Sequence, residues 1–131
     1  NLLTHATKYG LDFTIGSRRN KNIKKFHKYW LNEFGANVLT YIFNLFFNTN
    51  FTDIASCYKL MNTEKLKQFN LRCNGFDLDY EMAAKFIKNT NKYGEIQIAY
   101  NSRSYKEGRN YTIFFHGIKA LFVIIKEKII K

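Results

Sequence analysis

Short β-rich runs alternate with longer helical stretches along this chain of 131 residues, and that order limits the folds open to it. Residues 11–15 and 95–100 alternate apolar and polar side chains, a pattern typical of strands. Residues 29–47, 77–89 and 113–130 carry apolar side chains at helical spacing. The alternation predicts an α/β fold with a mixed, partly parallel sheet flanked by helices.

Smaller elements complete this order. We expect a helix at residues 2–9 that ends at Gly10, a short strand within residues 57–61, and a short helix capped by Asn62 or Thr63. The chain then has about three strands, fewer than a typical sheet contains. This shortage indicates that residues 1–131 form a single-domain fragment, with further strands expected upstream.

Two of the helices raise a question of burial. The helix at residues 29–47 is predicted to be buried, because its apolar stripe follows i, i+3, i+4 spacing through Trp30, Phe34, Asn37, Val38, Tyr41, Ile42 and Leu45. In the helix at residues 113–130, lysines interrupt an apolar stripe. Such a helix can lie on an anionic membrane surface, or it can pack on the sheet with its lysines in water.

The charge balance is strongly basic, with 21 Lys and Arg against 10 Asp and Glu and a net charge of +11. This excess implies an anionic partner, and nucleic acid, phosphorylated small molecules and anionic membranes all qualify. The hydrophobic fraction of 46% excludes a disordered tail. We expect no transmembrane helix, since no stretch approaches the uncharged apolar length that one needs, and no signal peptide, since residues 1–5 lack a charged region with an apolar core.

Metal-ligand patterns are weak in this sequence. Cys57 and Cys73 lack zinc-site spacing and fit a reducing, cytoplasmic compartment, and the three histidines are scattered. Asp77 and Asp79 form the one Asp-x-Asp segment, but they stand at a predicted helix start. Capping of that helix is therefore favoured over metal binding, and no metal site is predicted in this chain.

Three segments stand together as candidates for chemistry: Gly-Ser-Arg at 16–18, Thr-Asp-Ile-Ala-Ser-Cys-Tyr-Lys at 52–59, and Tyr-Asn-Ser-Arg-Ser-Tyr-Lys-Glu-Gly-Arg at 100–109. Their order and spacing resemble the C-terminal half of family 2 glycosyltransferases, especially the dolichyl- and polyprenyl-phosphate sugar transferases. The resemblance implies the C-terminal part of a nucleotide-diphospho-sugar transferase (GT-A-like) fold. The N-terminal nucleotide-binding half of that fold is absent from this sequence.

The resemblance also implies an activity. The expected reaction is inverting transfer of a hexosyl group from a nucleotide sugar to a polyprenyl or dolichyl phosphate, or to a cell-envelope glycan. It would take place at the cytoplasmic membrane face. Mg or Mn is expected for the full-length enzyme, with ligands outside this chain, so the fragment alone would be inactive. The alternatives are a basic nucleic-acid-binding module, which no known motif supports, and a membrane-surface module without catalysis.

Candidate site residues follow from the same segments. Asp53 is the expected catalytic carboxylate, as a base or by orienting the acceptor, unless it merely forms an Asx-turn. Arg18 is the expected phosphate-binding cation, and its neighbour Arg19 is expected to face solvent. Lys59 could pair with Asp53, bind phosphate or lie exposed. The resemblance adds phosphate or acceptor contacts at Lys28, Arg103 and Arg109, with Ser17 and Gly108 in the loops.

Overall fold

The computed structural model describes residues 1–19, 30–100 and 113–130. Its elements, in chain order, are α1 (Leu2–Tyr9), β1 (Phe13–Ser17), α2 (Trp30–Phe47), β2 (Lys59–Met61), α3 (Thr63–Lys67), α4 (Leu78–Asn89), β3 (Tyr93–Gln97) and α5 (Ile113–Ile129). Within the described residues the strands form one three-stranded sheet in the order β2-β1-β3. The predicted α/β class with a mixed sheet and flanking helices is confirmed.

Strand β1 lies at the centre of the sheet, antiparallel to β2 and parallel to β3. It ends at Ser17 and not at residue 15, because the Ser17 carbonyl still accepts a hydrogen bond from Ile98 N at 2.9 Å. Strand β3 begins at Tyr93, two residues before the predicted start, because the preceding Lys92 carbonyl already accepts from Asp12 N and Phe13 N. Pairing with the central strand thus sets the strand ends.

Gly16 allows the neighbouring segments to come close to β1. A Cβ atom at this position would lie 3.0 Å from Ile98 Cγ2 and 3.0 Å from Tyr58 Cβ. That separation is tighter than ordinary van der Waals contact between carbon atoms. The first residue of the Gly-Ser-Arg segment therefore has a packing role beside any functional one.

Helix ends follow the sequence signals in two cases and depart from them in a third. Gly10 ends α1 in the left-handed conformation, with φ at 60°, and the Asn62 side chain accepts from Glu64 N and Lys65 N at the start of α3. Asp77 occupies the N-cap position of α4, but its side chain makes no capping hydrogen bond. That expectation was wrong, because Asp77 has helical φ and ψ, which are not those of a capping residue.

The core lies between the sheet and helices α2, α4 and α5. Phe13 of β1 stacks on Phe86 of α4 with 5.1 Å between ring centroids, and both side chains are fully buried. Phe43 of α2 and Ile124 of α5 belong to the same cluster. Helix α1 lies against the other face, where a Cβ on Gly94 would lie 3.7 Å from His5 Nε2 of α1. The helices thus cover both faces of the sheet.

Helix α2 buries a different face from the one predicted. Leu39 and Phe43 point into the core, whereas the predicted stripe is largely exposed, with Phe34 at 61%, Tyr41 at 70% and Leu45 at 67%. The helix carries apolar side chains on both sides, so their spacing indicated a helix but not the side that packs. Burial was therefore assigned to the wrong face.

Helix α5 packs against α2 and α4 through Ala120, Val123 and Ile124, which are buried. The opposite side of α5 is apolar and exposed. One side of α5 therefore packs on the core, and the other side presents an apolar surface to solvent. Within the described residues, none of the helices combines the length and the hydropathy required to cross a membrane.

Candidate functional site

One edge of the sheet collects polar side chains from distant parts of the sequence. The parallel strands β1 and β3 end at this edge, and the antiparallel strand β2 begins there. Residues 17–19, 52–59 and 98–100 therefore meet at the carboxyl end of the central strand. This is the edge at which open α/β sheets commonly bind ligands.

An ion pair between Arg18 and Asp53 forms the centre of this edge. The Arg18 side chain donates from Nε to Asp53 Oδ2 at 2.7 Å and from Nη2 to Oδ1 at 2.8 Å. The backbone N of Arg18 adds a third hydrogen bond to Oδ2 at 3.1 Å. Asp53 is fully buried, while the Arg18 side chain keeps 26% exposure. The carboxylate thus holds Arg18 with one side of its guanidinium toward solvent.

The pair changes the acidity of both groups. Burial alone would raise the pKa of Asp53, but the hydrogen bonds and charge of Arg18 outweigh it and lower that pKa. Burial alone would lower the pKa of Arg18, and Asp53 outweighs it in the same way and raises that pKa. An ionised, fully paired carboxylate is a poor proton acceptor. The geometry therefore favours Asp53 as the residue that orients Arg18, and the Asx-turn alternative is wrong because both carboxylate oxygens bind Arg18.

A chain of hydroxyl groups joins the first two motif segments to β3. Thr52 donates from N to Glu95 Oε2 at 2.8 Å and from Oγ1 to Oε1 at 2.5 Å. Ser17 Oγ lies 2.7 Å from Thr52 Oγ1. The single Thr52 hydroxyl proton goes to Glu95, so Ser17 donates to Thr52 and accepts from Arg19 N at 3.1 Å. Ser17, expected in a loop, is therefore a buried strand residue that fixes the start of the Arg18 loop.

Glu95 was not among the predicted site residues. Its carboxylate also accepts from Asp53 N at 3.3 Å, so it holds the backbone of two consecutive motif residues. Sequence reasoning assigned Glu95 to the polar side of a strand. The only available signal was a carboxylate inside a β-rich run, and this signal does not reveal its partner.

Ser56 adds a further direct connection between the two motif segments. Its hydroxyl donates to the Gly16 carbonyl at 2.6 Å and accepts from Tyr58 N at 3.3 Å, and the residue is fully buried. A short polar side chain is needed here, because the space is closed and the carbonyl requires a donor. The segment at 52–59 is thus fastened to β1 at both Ser17 and Gly16.

Lys59 has a partner other than those predicted. Its Nζ lies 2.8 Å from Asp79 Oδ1 and also donates to the Ser56 carbonyl, and its side chain is only 2% exposed. Pairing with Asp53 and exposure to solvent were both wrong, because β2 directs Lys59 toward the first turn of α4. Burial lowers the pKa of Lys59, although Asp79 opposes that shift. A contact with phosphate stays a prediction, one that this buried pairing disfavours.

The Asp-x-Asp segment is part of this structural pairing. Asp79 is bound to Lys59, and the Cys57 thiol lies 3.6 Å from Asp79 Oδ2. Over residues 1–19, 30–100 and 113–130, no three or more His, Cys, Asp or Glu side chains are grouped so that they could hold a metal ion.

One aromatic ring lies beside Arg18, and a second ring packs on the first. The Tyr100 ring centroid lies 5.5 Å from Arg18 Cζ, within the range of a cation–π contact. Tyr58 packs edge-on against Tyr100 at 6.2 Å and is 48% exposed. Arg19, expected in solvent, is instead paired with Glu33 of α2 at 2.6 Å. This edge thus presents a planar cation beside a tyrosine ring, an arrangement suited to an oxyanion.

Four predicted site residues, Lys28, Arg103, Gly108 and Arg109, lie outside the described residues. Their roles stay predictions. Of the predicted residues within the described ranges, the structure brings Ser17, Arg18 and Asp53 together and turns Lys59 away toward α4.

Comparison of the chain with protein-family models, with curated protein sequences and with solved structures gives no match.

Proposed function

We propose that this chain is the acceptor-side half of an inverting glycosyltransferase that uses a nucleotide sugar. The observation that carries the proposal is the meeting of two distant motif segments. Gly-Ser-Arg at 16–18 and the segment at 52–59 belong to the three-segment pattern that resembles family 2 glycosyltransferases, and hydrogen bonds join them at one sheet edge. The third segment starts at the same edge, where Tyr100 lies beside Arg18.

The chemistry of Arg18 supports this proposal. Departure of the nucleotide diphosphate builds up negative charge, and a preorganised guanidinium stabilises such charge. Asp53 accepts hydrogen bonds from Nε and Nη2 of the Arg18 side chain, so the other N–H groups of the guanidinium take no part in that ion pair. An ionised phosphate acceptor needs a cation of this kind and no general base, which agrees with an Asp53 that serves to position Arg18.

The acceptor is proposed to be a lipid-linked phosphate or a glycan, and the donor site with its Mg or Mn is proposed to lie outside this sequence. The site described here would then act as the phosphate- or acceptor-binding side of a larger active site. The transferase assay must accordingly use the natural gene product and include divalent metal.

The test is turnover of nucleotide sugars by that gene product with a polyprenyl phosphate acceptor. Arg18→Lys keeps the charge but loses the two-pronged geometry, so we expect transfer to fall by about 100-fold or more. Lys67→Met is the matched control, because Lys67 forms an exposed pair with Glu64 at 3.1 Å. Absence of transfer across a panel of donors, or an Arg18→Lys variant with full activity, would overturn the proposal. Salt-sensitive DNA binding without transfer would favour the nucleic-acid alternative.

A further inference from the structure

Helices α2 and α5 each leave one complete apolar stripe uncovered. On α2 the stripe consists of Leu31, Phe34, Val38, Tyr41 and Leu45, which are 39–70% exposed. On α5 it consists of Phe115, Ile118, Phe122, Ile125 and Ile129, which are 39–74% exposed. Both stripes alternate steps of three and four residues, so each runs along one side of its helix. The name outer face is used below for these two stripes together.

The outer face belongs to two helices that are packed on each other. Lys128 of α5 donates to the Phe46 carbonyl of α2 and lies over the Phe47 ring at 5.8 Å. Each helix buries its opposite side in the same core, through Leu39 and Phe43 on α2 and through Val123 and Ile124 on α5. The exposed stripes are therefore larger and more regular than single apolar side chains scattered over a surface.

Over the described residues of α2 and α5, both acidic side chains are paired with cations, and lysines flank the α5 stripe. The acidic residues of the two helices are Glu33, which pairs with Arg19, and Glu127, which is buried between Lys85 and Lys88. Lys119 lies at the edge of the α5 stripe, with its Nζ 4.5 Å from the centre of the Phe115 ring. Lys126, one residue after Ile125, adds a second cation on the same side of the helix.

We infer that the outer face binds the surface of an anionic lipid bilayer, with α2 and α5 lying in the plane of the membrane. Phenylalanine, isoleucine and leucine side chains enter the boundary between headgroups and acyl chains. Lys119 and Lys126 extend their ammonium groups to lipid phosphates while their methylene stems cover apolar surface. The net charge of +11 on the chain complements the same anionic surface.

A second copy of this chain fits the outer face less well. A two-fold interface would set the same surface against itself. It would bring Lys119 and Lys126 of both copies together, and the two acidic residues of these helices are already paired with other cations. A lipid phosphate supplies the missing negative charge, and a copy does not.

The inference does not depend on sugar transfer, because the outer face contains neither Arg18 nor Asp53. The outer face nevertheless lies close to the candidate site. Glu33, whose neighbours in the sequence include Phe34 of the stripe, binds Arg19 at 2.6 Å next to the Arg18–Asp53 pair. A bilayer on the outer face would therefore lie beside the candidate site.

Co-sedimentation of the natural gene product with vesicles tests the inference. The probes are vesicles of phosphatidylcholine alone and of phosphatidylcholine mixed with phosphatidylserine. We expect binding to the mixed vesicles and at least about tenfold weaker binding for the double variant Phe34→Ser/Phe122→Ser. Leu3→Ser is the matched control, because Leu3 is 59% exposed on α1, away from the outer face.

A second pair of variants separates charge from apolar contact. Lys119→Glu should weaken binding to the mixed vesicles by about fivefold or more and leave binding to neutral vesicles unchanged, whereas Lys67→Glu should have little effect. Far-ultraviolet circular dichroism verifies that each variant is folded. No binding to anionic vesicles, or equal losses for Leu3→Ser and for the double variant, would overturn the inference. So would a dimer in solution that Phe34→Ser/Phe122→Ser dissociates, since the occupant would then be a second copy.

Discussion

Replacing Arg18 with methionine tests whether the Arg18–Asp53 pair organises the sheet edge. The variant removes both side-chain hydrogen bonds, at 2.7 and 2.8 Å, and leaves Asp53 with the backbone N–H of residue 18 at 3.1 Å. Because Asp53 has no exposed surface, its charge would stay buried without a partner. Loss of one member of a buried ion pair costs about 3–5 kcal/mol. The Arg18 side chain is 26% exposed, so we expect the lower end of this range, about 3 kcal/mol.

The dependence of stability on pH should change sign in this variant. In the wild type the pKa of Asp53 is lowered, so its stabilisation is present above the unfolded-state pKa of about 3.9 and is lost as the pH falls below it. In Arg18→Met, burial persists without the cation, so the folded-state pKa should exceed the unfolded one. The variant should therefore gain stability as the pH falls from about 7 toward 4.

Urea unfolding followed by circular dichroism at several pH values between about 7 and 4 measures both effects. The double variant Arg18→Met/Asp53→Leu removes both charges and should recover much of the lost stability. Lys67→Met, which breaks an exposed pair, should cost less than about 0.5 kcal/mol. A loss below about 1 kcal/mol in Arg18→Met, or a pH profile parallel to that of the wild type, would refute the reasoning.

Two further predictions concern packing and thiol chemistry. Gly16→Ala places a Cβ 3.0 Å from two neighbouring side chains, so it should lower the free energy of unfolding by about 1–3 kcal/mol. In the control Gly117→Ala the new Cβ meets open space and should not destabilise the fold. Equal Tm values for the two variants in thermal unfolding would contradict this. Burial raises the pKa of Cys73 to about 12, so iodoacetamide at about pH 8 should label the exposed Cys57 first, as read by mass spectrometry of peptides. Faster labelling of Cys73 would show that its surroundings differ from those described.

Local sequence signals determined the order and type of the elements. Gly10 ends α1 as predicted, and of the two predicted caps of α3 it is Asn62 that acts, because these effects operate within a few residues and need no distant partner. The alternation of apolar residues predicted β1 to within two residues at each end and β3 to within three, since β3 ends at Gln97 and not at residue 100. Even the partly parallel sheet followed from the alternation of strands with helices.

Candidate site residues were predictable from the sequence only as motifs. Arg18 and Asp53 were singled out separately, and their pairing across 35 positions is a tertiary fact. Glu95 was not predicted, and Lys59 pairs with Asp79 and not with Asp53, for the same reason. A charged side chain finds its partner through the strand or helix that carries it, and the relative placement of those elements is not written in any local pattern.

Helix α2 shows most clearly what the local sequence determines and what tertiary packing decides. Its sequence determined a helix with apolar residues on both sides, and periodicity alone could not rank the two. Only packing against the sheet and α5 decided that Leu39 and Phe43 are buried while Phe34 and Tyr41 stay outside. Burial depends on the shape and volume that the partner elements offer, and those partners lie far along the chain. The sequence therefore determined which segments fold into helices and strands, and the tertiary structure decided which of their surfaces are buried and which stay exposed.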